Sequence, residues 1–119
     1  FDSKGNFETQ WNNLHRPCGL AISKDQHIYI GELGAGMAVD RYTPNIGPRV
    51  TVMNTKGERL ARIGHLGYGL GVGQFVAPHG ISVDSKSNIY VAEVAWTHIN
   101  HFEKPPDNPR SLQKLLKVG

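Results

Sequence analysis

The chain has 119 residues, of which 39% are hydrophobic and 19% charged, with 14 glycines, one cysteine and a formal net charge of +3. One cysteine excludes an internal disulfide framework, no apolar run reaches the length of a membrane span, and the glycine content is that of a turn-rich chain of short strands. The cations are scattered, with only a mild cluster at Arg110, Lys114 and Lys117, so no basic stripe points to nucleic acid, and no apolar segment points to a membrane partner.

The first readable element is Phe1-Asp2-Ser3-Lys4-Gly5, a strand end and turn that returns 52 residues later as Met53-Asn54-Thr55-Lys56-Gly57. Next comes Pro17-Cys18-Gly19-Leu20-Ala21-Ile22, answered 61 residues on by Pro78-His79-Gly80-Ile81-Ser82-Val83; at the same offset His27-Ile28-Tyr29-Ile30-Gly31-Glu32 is answered by Asn88-Ile89-Tyr90-Val91-Ala92-Glu93. Self-similarity of this kind marks a repeat architecture. In each copy an apolar, β-branched run, a polar turn and a second such run predict a hairpin. Val50-Thr51-Val52-Met53 and Arg59-Leu60-Ala61-Arg62-Ile63 around Asn54-Thr55-Lys56-Gly57 predict another, with Gly57 free to take the positive φ of a tight turn. Two hairpins per repeat give a four-stranded antiparallel sheet.

The two echoes disagree in offset, and the difference is assigned to insertions: one of about twelve residues within 35–48, and one of about nine within 64–73. Removing both from the 61-residue offset leaves about 40, the period of a four-stranded blade. The expected fold is therefore all-β, about two four-stranded blades plus a stray strand. Residues 1–6 end a preceding blade, 7–57 form the first with its insertion at 35–48, and 58–119 form the second with its insertion at 64–73. Both insertions are long loops on a rigid scaffold, where binding specificity concentrates. Gly67-Tyr68-Gly69-Leu70-Gly71 is not a phosphate cradle, because it lacks a following helix and a Lys-Ser/Thr pair.

The string Gly73-Gln74-Phe75-Val76-Ala77-Pro78-His79-Gly80-Ile81-Ser82-Val83-Asp84, followed by Ile89-Tyr90-Val91-Ala92-Glu93, resembles the NHL repeat of six-bladed β-propellers. More narrowly, it is similar to bacterial relatives of peptidyl-α-hydroxyglycine α-amidating lyase. The resemblance implies that the chain is a C-terminal portion, and that the missing blades come from upstream chain or from other copies, three of which would supply six. It also implies that a histidine in alternate blades points into a central channel, where three together hold zinc. That role maps onto His79 alone. Imidazole is a good zinc ligand, and three ligands leave a position for water or substrate. The competing reading of His79 is an axial side chain satisfied by backbone groups.

Cys18 occupies the matching position one blade earlier and is expected to line the channel, as packing in preference to a ligand or nucleophile. The lyase pattern has a methionine where this chain has Ala77 and a calcium-binding aspartate where it has Gly80, which puts calcium in doubt. Glu32 and Glu93 are expected to fasten the next turn rather than to catalyse. His98 and His101, read on a strand, fall on opposite faces and do not pair on a metal. Trp11 and Trp96 are expected to pack between blades. The implied function is a zinc-dependent, lyase-like enzyme in which the metal polarises a small polar or peptide-derived substrate or its bound water. The alternative is a non-enzymatic scaffold that grips protein or glycan through its loops.

Overall fold

A computed structural model describes residues 1–34, 42–65 and 67–118. Seven strands and one short helix follow in order: β1 Pro17–Ile22, β2 Ile28–Glu32, β3 Arg49–Met53, β4 Arg59–Ile63, β5 Pro78–Val83, β6 Ile89–Glu93, α1 Ala95–Asn100 and β7 Leu112–Leu115. They build two antiparallel sheets, β1-β2-β3-β4 and β5-β6-β7. The chain is thus mostly β.

Four turns share one construction. Asp2, Ser23, Asn54 and Asp84 each receive a side-chain hydrogen bond from the backbone N–H four residues on, at Asn6, His27, Glu58 and Asn88. The residue before that N–H has positive φ: Gly5 and Gly57 at 83°, Gln26 at 63° and Ser87 at 62°. Short Asx and Ser side chains that satisfy the turn's own backbone explain why these positions close hairpins.

Alternation along the strands sorts each sheet into two faces. Tyr29, Val50 and Val52 of the first sheet face Ile81, Val83, Ile89 and Val91 of the second, with Phe75, fully buried, between them. The opposite face of the first sheet carries Ile28, Ile30 and Met53, covered by Trp11 and Leu14. Trp11 lies over Gly57, where any Cβ would meet the indole within 2.9 Å. A third cluster joins Val76, Ala77, Ala95 and Ile99 beneath the start of β5.

Several expectations differ from the structure. The second sheet holds three strands among the described residues, not four, and the segment after Glu93 is helix α1 rather than strand. Ala95, His98 and Ile99 are the buried positions, a helical spacing with no counterpart in a pleated strand. Trp96 falls on the helix's other side and is 52% exposed, so it does not pack between sheets. The third strand is β7, whose Leu115 pairs with Ile89 as Met53 pairs with Ile28. Glu32 to Met53 spans 21 residues and Glu93 to Leu115 spans 22, so the first repeat holds no insertion relative to the second at this point. Residues 35–41 of the 35–48 segment, Arg41 among them, lie outside the described residues. The boundary at 57/58 falls inside the β3–β4 turn, and β4 pairs within the first sheet.

Candidate functional site

The two sheets meet most closely where β1 runs beside β5. A Cβ at Gly19 would lie 2.9 Å from the Ile81 amide nitrogen and 3.0 Å from the Gly80 Cα, and it would also collide with the His79 carbonyl. Only glycine permits that approach of two backbones. Cys18 and His79, the matching residues of the two copies, are thereby brought onto neighbouring strands at the same end of the molecule.

Each of those strands also carries a bulge at its matching residue. In β1 the register slips between Pro17, opposite Glu32, and Leu20, opposite Ile30; in β5 it slips between Pro78, opposite Glu93, and Gly80, opposite Ala92. A bulge inserts an unpaired residue and re-aims its side chain away from the regular pleat. Cys18 and His79 are both exposed, and Cys18 is a free thiol. Neither side chain is buried within this segment.

Beneath the bulges each sheet anchors its first strand with a buried glutamate. Glu32, fully buried, accepts from the His15 amide at 2.6 Å, from Arg49 Nε and Nη2 at 3.0 Å each, and from the Thr51 hydroxyl. Burial pushes its pKa up, but the Arg49, Thr51 and His15 bonds outweigh this and hold the carboxyl below its ordinary value. Glu93 repeats the device with the Val76 amide at 2.5 Å, the Ala77 amide at 3.0 Å and Gln113 at 2.9 Å. Both glutamates therefore tie down the segment that precedes the first strand, not the turn that follows the second, and their role is structural.

Of the loop 64–73, Leu66 lies outside the described residues, and residues 67–73 are tied down by their own contacts. Arg110 donates to the carbonyls of Leu70, at 2.6 Å, and Gln74, at 3.0 Å, while the Gln74 side chain accepts from the Gly71 amide at 3.0 Å. Tyr68 reaches Glu103 at 2.7 Å and stacks on Phe102 at 6.0 Å, with His98 5.4 Å from Phe102. The bond to Glu103, with some burial and the carboxylate's charge, raises the Tyr68 pKa. Between this loop and α1 lies a cavity of about 560 Å³, lined by Tyr68, Gly69, Leu70, Ile99, Glu103 and Lys104. Its helical wall packs on Val76 and Ala77, directly before Pro78 and His79. Sequence reading missed this aromatic group because Phe102 and His98 reach Tyr68 only through the helix. The signal available was the spacing of Ala95, His98 and Ile99.

Among the described residues no three His, Cys, Asp or Glu side chains group closely enough to hold a metal ion. His79 is exposed, and no three-ligand group is assembled among the described residues. His98 and His101 sit at the end of α1, with His98 buried against the aromatic group. No helix among the described residues is long and apolar enough to cross a membrane. Neither the protein-family models nor the curated proteins contain a match to this chain.

Proposed function

We propose that the chain is a two-sheet segment of an NHL-type β-propeller whose working surface is the end of β1 and β5, with His79 as its zinc ligand. The observation that supports this reading is the pair of bulges that turn Cys18 and His79 outward from adjacent strands. The remaining ligands are histidines of other sheets, and three copies set around one axis would bring three His79 side chains together. Zinc held in this way serves as a Lewis acid toward a small polar or peptide-derived substrate. Metal analysis of the purified protein tests the proposal. Zinc bound at about one ion per three-ligand centre, lost in His79→Ala and kept in Cys18→Ser, is the expected result. Metal-free protein with an intact fold after zinc supplementation overturns it.

A second reading has its own observation. The cavity between Tyr68, Glu103 and Lys104 offers aromatic, acidic and basic groups beside a backbone loop, which suits a scaffold that grips a peptide without chemistry. On that reading Tyr68→Ala abolishes partner capture, and His79→Ala leaves it unchanged.

A further inference from the structure

We infer that a second copy of this chain docks head to tail on the first, the open face of one copy's first sheet against the open face of the other's second sheet. The inference rests on how the two sheets of one chain already pack and does not need the zinc centre. Within the chain, the contact is made by the Gly19, Tyr29 and Gly31 side of the first sheet against the Ile81, Ile89 and Val91 side of the second. At the 61-residue offset those positions recur with the roles exchanged: Gly80, Tyr90 and Ala92 form the outer face of the second sheet, and Leu20, Ile28 and Ile30 the outer face of the first. Each chain thus carries both halves of an interface it has already made once.

The two outer faces look unfinished in complementary ways. Leu20 and Ile22 are 60% and 57% exposed, whereas their counterparts Ile81 and Val83 pack into the core. Leu14, the counterpart of Phe75, covers Ile28 and Ile30 but leaves β1 open. Gly80 is the sharper observation. Its counterpart Gly19 is glycine because a neighbouring backbone leaves no room for a Cβ, yet a Cβ at Gly80 would meet nothing closer than the Ala92 Cβ at 3.4 Å, and its φ is not positive. Glycine inside a strand is destabilising and often marks close approach of another backbone. In the docked pair the strand that approaches Gly80 is β1 of the second copy, as β5 approaches Gly19. Leu20 then sits over Ala92 as Ile81 sits over Gly31, where a Cβ would lie 3.2 Å from the Ile81 side chain.

The strand edge agrees. The outer edge of β7 has no neighbour among the described residues, while Phe7–Trp11 follows a turn built like the one before β4 and joins no sheet. This segment of the docked copy lies along β7 and completes its sheet by strand addition. Such a contact is heterologous, so it propagates, closing into a ring where the rotation allows.

Sedimentation velocity in the presence of EDTA tests the docking with two variants, Leu20→Glu at an exposed site on one face and Gly80→Val at a half-buried site on the other. Wild type is expected to form concentration-dependent multiples of the chain mass. Each variant alone is expected to be monomeric with an unchanged far-UV circular dichroism spectrum. Their equimolar mixture is expected to form dimers and nothing larger, because one intact face of each kind remains. Ile22→Glu and Ala92→Arg give the same pairing should either first variant fold poorly. A monomeric wild type overturns the inference, as does a single-face variant that dimerises by itself or a mixture that stays monomeric. Assembly that persists while protein purified and zinc-supplemented without EDTA binds no zinc would count against the proposed function and leave the docking intact.

Discussion

Ser87 and Gln26 occupy left-handed backbone at φ 62° and 63°, where the sister turns place Gly5 and Gly57. An L-residue there costs roughly 1–2 kcal/mol, and glycine's larger unfolded entropy returns roughly 0.5–1. Ser87→Gly is therefore expected to stabilise the protein by about 0.5–1 kcal/mol, read as a rise in urea midpoint with unchanged slope. Asp84 belongs to the same turn, and its carboxyl is held at about 2 by the Asn88 side chain first and by the Asn88 and Lys86 amides. Because that pKa lies below the ordinary value of 3.8, its contribution is present above that range and is lost only as pH falls toward 2. An NMR titration of the Asp84 carboxyl is expected to show this late protonation. These turns were legible in the sequence because Asp-Ser-Lys-Ser and Asn-Thr-Lys-Gly close on their own backbone and need no distant partner.

At the scale of the element, Glu32 joins β2, β3 and the segment before β1 through four residues, itself included. Its acidic character at a strand end was legible; the identity of its partners was not, since Arg49 and His15 each lie 17 residues away and meet it only through sheet register. Glu32→Gln leaves the Arg49 guanidinium buried and uncompensated, with an expected loss of about 3 kcal/mol or more in urea denaturation. The folded carboxyl titrates below 4.5, so its stabilisation is complete above that value and disappears as pH drops through the folded pKa. Stability of the wild type is accordingly expected to fall on acidification below about pH 4.5, with a shallower fall in Glu32→Gln. Helix α1 shows the converse case. Reading His98 and His101 on a strand fails because Ala95, His98 and Ile99 share a helical face that Val76 and Ala77 receive.

Across the whole molecule the sheets are held together by one apolar layer with Phe75 at its centre, fully buried against Tyr29, Val50, Val52, Ile89 and Val91. Phe75→Ala removes contacts from both sheets at once and is expected to cost about 3–5 kcal/mol, measured as a lowered thermal midpoint, because neither sheet can close the gap alone. The sequence alone determined the repeat, the hairpins, the turn chemistry and the equivalence of Cys18 with His79, since each follows from short-range patterning written twice. Tertiary structure decided the rest: that Gly19 lets β1 lie against β5, that bulges turn Cys18 and His79 outward, and that α1 brings His98 and Phe102 to Tyr68. Those outcomes depend on backbones and side chains far apart in the chain, whose approach is set by packing volume and register and leaves no local pattern to read.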